Sequence, residues 1–180
     1  MGFFTPPEAI EPENFSEVAQ LIDACLIENQ VNLESGFLLS PHGESHFQRR
    51  FDQGAHLRGI RTKDGDLVGF MLGIPTLLEE SNRRDQAYWL ERFPDLENKP
   101  RHYIDQVAIH PAHRKSGLGS LLYEDFLSTV SDGDHVGAII IQRPYNGASV
   151  KFHEAFDFRL AKTVAEPVGG VHSPYGFYVR

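Results

Sequence analysis

The segment from residue 110 to residue 123 has the residue types and spacing of a phosphate-binding loop. Arg114 and Lys115 precede Gly117 and Gly119, and the whole segment lacks an acidic residue. Backbone N–H groups at the start of a helix bind anions, and the helix dipole strengthens that binding. Glycine lets a phosphate approach the backbone because no Cβ atom stands in the way. The segment therefore predicts a cradle for a pyrophosphate group.

Two well-known phosphate loops do not fit this segment. A P-loop ends in Gly-Lys-Ser/Thr, whereas Gly119 is followed by Ser120 and Leu121. A dinucleotide-binding loop needs a third glycine, and that position is Leu122. The sequence thus argues against both classes of site.

The context of the loop gives a more specific interpretation. The strand-like Val107-Ala108-Ile109, a proline and then Arg-x-x-Gly-x-Gly resemble the coenzyme-A loop of the GNAT superfamily of N-acetyltransferases. A second family motif, Asn-x-x-Ser/Ala-x-x-Phe/Leu-Tyr-x-x-x-Gly-Phe, resembles Asn146, Ser149, Phe152, His153 and Phe158. Both motifs occur in the family's order, and together they cover about 50 of the 180 residues. The stretches Tyr-Ile-Asp-Gln-Val-Ala-Ile and Ser-x-x-Phe-His are similar to a subgroup of predicted bacterial acetyltransferases.

The resemblance implies a binding mode for acetyl-coenzyme A (acetyl-CoA). In this family the cofactor lies between two splayed parallel strands, here residues 103–109 and 136–141. The backbone of Val107 and Ile109 would pair with the pantetheine arm like an added strand. The N–H groups of residues 115–120 would hold the pyrophosphate. The residues that this mode assigns to cofactor binding are Val107, Ala108, Ile109, Arg114, Lys115, Ser116, Gly117, Leu118, Gly119, Ser120, Asn146 and Ser149.

The resemblance also assigns an acid and a base, because the amine attacks the thioester directly. Asp105 occupies a position where some members carry a base, and strand alternation predicts that it shares a face with Val107 and Ile109. The alternative is a structural carboxylate that pairs with Arg101 or another neighbour. His153 replaces the usual general-acid tyrosine. It could act as imidazolium, favoured by a helix C-terminus, or donate one N–H as neutral imidazole; the alternative is a packing histidine.

Three further sites have reserve or structural interpretations. Tyr145 and Tyr123 are the reserve general acids. His42 and His46 flank Glu44, but the order His-Gly-Glu-Ser-His is not that of a zinc protease, so no metal site is predicted. The cysteine at position 25 falls on an apolar helical face and is expected to be buried.

The pattern of elements predicts one domain over residues 1–180, of the α+β class. We expect a layered α/β/α sandwich with a GNAT-like mixed, mostly antiparallel sheet and splayed central parallel strands. Asn14 and Glu17 predict a capping box for the first helix, and Asp64-Gly65 predicts a hairpin turn. A second, short helix is predicted to hold Phe47 and Phe51 one turn apart and to stop at Gly54. The other predicted helices are 15–26, 117–130 and 146–156, and the predicted strands are 56–61, 67–74, 102–109, 136–141, 158–165 and 175–180. Residues 76–101, with a short helix near 83–92, form either a substrate lid or a solvated insertion.

The net charge of −8 lies entirely before Arg49, the first basic residue, where there are eight acids. This balance argues against nucleic acid and anionic membranes as partners. The region beside the acceptor site is acidic, whereas both coenzyme segments are locally basic, which suits a cationic amine and an anionic cofactor. The alternative is a solvated acidic face.

These observations predict an acetyl-CoA-dependent N-acetyltransferase that acts on a primary amine of a small molecule. A peptide or protein amine is the second acceptor class. Two other functions stay open: a catalytically silent acyl-CoA-binding regulator, and a nucleotide-binding module without acyl chemistry. With a single cysteine and no targeting or spanning segment, we expect a cytoplasmic protein, which could form a homodimer.

Overall fold

Four α-helices and seven strands form in the part of the chain that the computed structural model describes, residues 3–75, 101–164 and 174–180. In chain order they are β1 (Glu8–Ala9), α1 (Phe15–Cys25), α2 (Glu44–Asp52), β2 (His56–Arg61), β3 (Leu67–Pro75), β4 (Arg101–Ile109), α3 (Leu118–Leu127), β5 (His135–Ile141), α4 (Gly147–Glu154), β6 (Arg159–Val164) and β7 (Tyr175–Val179). This order confirms the predicted one and adds the short β1. The insertion at 76–101 and its helix near 83–92 fall almost wholly outside the described residues. No helix in the described part is long and apolar enough to span a membrane.

The strands form one mixed sheet in the order β1-β2-β3-β4-β5-β7-β6. Every neighbouring pair is antiparallel except β4 and β5, which are parallel. The predicted hairpin joins β2 to β3, and Gly65 in its turn has a φ of 99°. The predicted α+β class, with its mostly antiparallel sheet and one parallel pair, is confirmed.

The helices cover both faces of the sheet. On one face, α1 and α2 pack through a buried cluster that includes Phe15, Phe47 and Phe70. On the other face, α3 and α4 pack through a second cluster that includes Leu122 and Phe126. Full burial of each such side chain stabilises the fold by about 1.5–3 kcal/mol. The layers are therefore α/β/α, as the sequence predicts.

The start of α1 differs from the predicted capping box. The Asn14 side chain accepts no hydrogen bond from the helix; instead its Nδ2 donates to Glu17 Oε1 at 3.1 Å. Glu17 also forms an ion pair with Arg61 of β2. The carboxylate therefore turns towards side-chain donors rather than back to the Asn14 backbone.

A β-bulge in β4 creates the opening in which the site lies. Leu72 of β3 pairs with Gln106, and the next residue, Gly73, pairs with Ile104, so that Asp105 is an extra residue. The parallel pairing of β4 with β5 ends at the same place, at Ile104 and Ala138. Beyond these residues the two strands separate.

Candidate active site

A cavity of about 570 Å³ lies where β4 and β5 diverge. Its walls come from five segments: residues 34–42, the second half of β4, residues 113–120, β5, and residues 146–153. The sequence assigns fourteen residues to the site, and thirteen of them line this cavity; Ser116 is the exception. The two sequence motifs and the two diverging strands therefore contribute to one site.

The edge of β4 that faces the cavity carries backbone groups that do not form hydrogen bonds with β3. The His110 N–H donates to Val68 O at 2.8 Å, so the backbone of residue 110 points towards β3. Because successive residues of a strand direct their N–H and C=O groups to opposite sides, Val107 and Ile109 direct theirs towards the cavity. An extended ligand could pair with this edge as an additional strand.

Arg114 uses part of that edge and connects three segments. Its Nε donates to Ile109 O at 3.2 Å, and its Nη1 donates to Gln30 Oε1 at 2.8 Å. Cys25 Sγ also lies 3.5 Å from Ile109 O. The guanidinium therefore holds the loop against β4 and the segment after α1, and its charge is partly engaged by protein acceptors.

The loop between β4 and α3 has the backbone shape of an anion site. Lys115 and Gly117 both have left-handed backbones, with φ of 62° and 83°. Successive N–H groups in such turns converge on a concavity that suits an anion. The Ser116 hydroxyl donates to His113 O, which steadies the turn. A Cβ at position 117 would meet no atom within 4 Å, so conformation, not space, requires the glycine there.

Gly119 also has a packing role. A Cβ there would lie 3.2 Å from the ring of Phe152 and 3.9 Å from Ile109. The missing side chain therefore lets α3 pack against Phe152 of α4. The expectation that this glycine makes room for a phosphate stays a prediction.

Asn146 joins α4 to the segment that covers the cavity. Its Oδ1 accepts from Ser149 N–H at 3.3 Å and caps α4, while its Nδ2 donates to Phe37 O at 3.0 Å. The residue is only 6% exposed. Gly36, with a φ of 88°, packs beside Ala148 and Asn146. Both ends of the amide are thus committed to protein partners, and residues 36–38 are fixed as a roof over the cavity.

His153 reaches the cavity wall from α4, but both ring nitrogens have protein partners. Nδ1 lies 2.8 Å from Ser149 O, which can only accept, so Nδ1 carries the proton. Nε2 lies 2.6 Å from Tyr123 Oη and accepts the phenolic hydrogen. Ser149 Oγ lies 3.4 Å from Nδ1 on the cavity side. In this arrangement His153 has no free N–H to donate.

Burial fixes the protonation states of this pair. It lowers the pKa of His153 to about 4, and the hydrogen bond to the Ser149 carbonyl offsets only part of the effect. It also raises the pKa of Tyr123 well above its usual value. The expectation that the C-terminus of α4 favours imidazolium is therefore outweighed by desolvation. The assignment of His153 as general acid stays a prediction, and this geometry weighs against it.

The bulge also changes the expected face of Asp105. Its Oδ2 lies 3.5 Å from both His46 Nε2 and Arg50 Nε of α2. Val107 and Ile109 pack instead towards the cluster under α3. The predicted common face is wrong, because the extra residue reverses the alternation. The Arg101 side chain, its alternative partner, lies outside the described atoms.

Two residues of the site were assigned no catalytic role from the sequence. His42 lines the cavity and its ring stacks on His46, with ring centroids 4.1 Å apart. No group of three or more His, Cys, Asp or Glu in the described part could hold a metal ion. Glu34 also lines the cavity. The four-residue spacing of the two histidines was visible in the sequence, but their closeness to Asp105 depends on how α2 packs on β4.

The reserve acids do not line the cavity. Tyr145 is 61% exposed, and its ring packs over Gly147. Tyr123 is completely buried behind His153. Neither phenol lies among the described residues that form the cavity wall.

Comparison with known proteins agrees with this architecture. The model of the acetyltransferase (GNAT) family matches residues 27–158. No curated protein sequence matches the chain significantly.

Three of the solved structures with the same fold illustrate the similarity, which is at low sequence identity and extends over nearly the whole of both chains in each comparison. The ribosomal-protein-S18-alanine N-acetyltransferase of Escherichia coli is 12% identical (TM-score 0.66; 98% of this chain and 92% of that one). Arabidopsis thaliana Naa50, in complex with the bisubstrate analogue CoA-Ac-MVNAL, is 13% identical (TM-score 0.69; 99% and 99%). An N-acetyltransferase from Staphylococcus aureus Mu50 is 14% identical (TM-score 0.67; 99% and 98%).

The family match extends over most of the chain and includes both halves of the cavity. It begins just after α1 and ends just beyond α4. Together with the divergence of β4 and β5 and the loop before α3, it identifies the chain as a member of the acetyltransferase (GNAT) family, acetyl-CoA-dependent N-acetyltransferases.

Proposed function

We propose that this chain transfers the acetyl group of acetyl-CoA directly to a primary amine of a small molecule. The observation that carries the proposal is the backbone edge of Val107 and Ile109, which faces the cavity between β4 and β5. The left-handed turn at Lys115 and Gly117 lies at one end of that edge. A strand edge that leads to an anion-binding turn suits a ligand with an amide-containing arm and a pyrophosphate.

Each part of acetyl-CoA has a proposed set of partners. The pyrophosphate is held by backbone N–H groups of Lys115, Ser116, Gly117, Leu118, Gly119 and Ser120, with positive charge from Arg114 nearby. The pantetheine arm pairs with Val107 and Ile109, lies over Ala108 and meets the Ser149 hydroxyl. Asn146 fixes the roof at Phe37 through one N–H of its amide and contacts the pantetheine arm from the start of α4.

Asp105 is proposed as the base that takes a proton from the amine, directly or through one water. It lines the cavity at the bulge, four residues before Ile109. At about 3.3 Å per residue, the thioester end of the site would lie about 13 Å from the start of the loop. A positioned base typically contributes about 10²–10⁴-fold to the rate.

The departing thiolate can receive the proton that the amine loses as the amide forms. The nitrogen attacks the carbonyl carbon, the carbon–sulfur bond breaks, and one N–H proton ends on sulfur. A thiol with a pKa near 8.5 is a good leaving group, so this step does not require a dedicated acid. The proposal therefore does not depend on a proton from His153.

A second candidate function is supported by the same hydrogen bonds. Because His153 has no free N–H, and because neither reserve tyrosine lines the cavity, the chain could bind acyl-CoA without turnover. Such a protein would serve as a sensor that acts on a partner. Its binding site for the coenzyme would be the same.

Release of the CoA thiol from acetyl-CoA tests these candidates across a panel of small primary amines and short peptides. Turnover with small amines supports the proposal, whereas turnover only with peptides moves the acceptor to the peptide class. Tight acetyl-CoA binding without turnover on any amine favours the sensor. A thermal shift with ATP or NAD and none with acetyl-CoA would contradict both candidates.

A further inference from the structure

Two histidines at the start of α2 form a stacked pair that has no role in the acetyl transfer proposed above. His42 lines the cavity just before the helix begins, and His46 lies one turn further on. Their rings are stacked, with centroids 4.1 Å apart and planes inclined by 24°. This contact fixes the ring of His42 at the cavity wall.

His46 in turn connects the pair to β4. Its Nε2 lies 3.5 Å from Asp105 Oδ2, and the His46 and Asp105 side chains are 14% and 18% exposed. Within the described part of the chain, neither of these two atoms has a hydrogen-bond partner of good geometry. His42 and Asp105, which both line the cavity, therefore lie on either side of His46.

The proton balance of the reaction needs more than one acceptor. An alkylamine, with a pKa near that of lysine at about 10.4, arrives as R–NH3+ at neutral pH. It loses one proton to become a nucleophile and a second as the C–N bond forms and the C–S bond breaks. The second proton ends on the thiolate, so the net products are the amide, the CoA thiol and one proton released to solvent. A single carboxylate would have to serve both steps.

We propose that His42 is a further base of this site, which accepts the first proton from the acceptor ammonium and passes it to solvent. The inference rests on the proposed acetyl transfer and leaves the second proton to Asp105. His46 acts as a positioning residue, since it holds the His42 ring by stacking and contacts Asp105. His42 is only half-buried, which gives it access to water.

The charges around His42 keep it ready to accept a proton. Burial lowers its pKa, and His46, Arg50 and Arg49 of α2 lower it further, while Asp105 of β4 raises it. The imidazole is therefore neutral at pH 7 and has one unprotonated nitrogen.

The pH dependence of kcat/KM for an alkylamine separates this role from simple packing. Acetyl-CoA is kept saturating, and the native chain and His42→Gln are compared from pH 6 to pH 9. The native chain should reach a plateau once His42 is neutral. The variant can use only amine that is already neutral in solution, so its kcat/KM should rise about tenfold per pH unit. We expect a deficit of about 10²-fold at pH 7 that nearly vanishes at pH 9.

Two further variants complete the test. His46→Phe keeps an aromatic ring to stack on but removes the contribution of His46 that lowers the pKa of His42, so the inflection of the profile should move to higher pH. Gln48→Ala, on the exposed side of α2, is the matched control and should follow the native profile. His42→Asn repeats the measurement if His42→Gln folds poorly, as judged by circular dichroism. Parallel profiles of equal height for His42→Gln and the native chain would overturn the inference, whereas absence of turnover in the native chain would overturn the proposed function instead.

Discussion

The phenolic oxygen of Tyr123 lies 2.6 Å from Nε2 of His153, and the two residues are 0% and 3% exposed. Because Nδ1 of His153 donates to the Ser149 carbonyl, the tyrosine must be the donor in this contact. The pair links α3 to α4 beneath the cavity floor.

Removal of the tyrosine hydroxyl should therefore destabilise the fold. Tyr123→Phe leaves Nε2 of His153 buried without a donor, and we expect the free energy of unfolding to fall by about 1–3 kcal/mol. Urea denaturation measures this change. Tyr145→Phe, whose hydroxyl is on the exposed ring, should shift stability by less than about 0.5 kcal/mol. Equal stability of the two variants would show that the buried contact contributes little.

The same histidine predicts a dependence of stability on pH. His153 has a pKa of about 4 when folded and near 6.5 when unfolded. Between these values the unfolded chain binds more protons, so the free energy of unfolding should fall as the pH falls from 6.5 towards 4. The contribution reaches up to about 3 kcal/mol. His153→Gln should lose less stability than the native chain over this range, and the other histidines, present in both proteins, cancel in the comparison.

Kinetics with the same variant address the proposed acid role. With no free N–H on His153, we expect His153→Gln to leave the pH profile of kcat unchanged, although the protein is less stable. The measurement is kcat for CoA thiol release from pH 6 to pH 9, at a temperature where both proteins are folded. Loss of a basic limb in the profile would instead support His153 as the proton donor to the thiolate.

The sequence predicts those structural features that depend on residues close together in the chain better than those that depend on distant contacts. The apolar spacing of α1 and the Asp64-Gly65 turn both depend on nearby residues, and they appear as expected. The bulge at Asp105 depends on pairing with β3, which residue types do not specify.

The chemistry of the site depends on even longer connections. The amide of Asn146 meets a carbonyl 109 residues away, and the acceptor of Tyr123 lies 30 residues further along the chain. A motif predicts that such residues share a site, but not which of their donors remain free. The predicted cofactor segments were therefore found together, while the phosphate role of Gly119 and the acid role of His153 stay predictions.

The tether at Asn146 gives a prediction about cofactor affinity. Asn146→Asp keeps an oxygen to cap α4 but replaces the donor to Phe37 O with another acceptor. Loss of one hydrogen bond of about 1 kcal/mol corresponds to roughly a fivefold weaker Kd for acetyl-CoA. Isothermal titration measures the Kd, and Asn29→Asp, on the exposed segment after α1, is the matched control. An unchanged Kd for Asn146→Asp would mean that the roof does not depend on this bond.

The position of the negative charge gives a prediction about the acceptor. The acidic first third of the chain predicts that charge reversal at Glu28, Glu34 or Glu44 raises KM for a cationic amine. Glu34 is the member of this group that lines the cavity. Because attraction between exposed charges is screened within about 10 Å at 0.1 M salt, Glu34→Lys should have the largest effect, roughly a fivefold rise in amine KM at low salt.

Glu28→Lys, which makes the same change of charge away from the cavity wall, serves as the matched control. Its amine KM should rise less than that of Glu34→Lys, and the difference between the two should shrink at 0.5 M salt. KM for acetyl-CoA should stay nearly constant in both, since neither carboxylate belongs to the coenzyme loop. Equal amine KM values in Glu34→Lys, Glu28→Lys and the native chain would contradict this prediction. They would mean that the acidic first third of the sequence is only a solvated surface and does not contribute to binding of the acceptor.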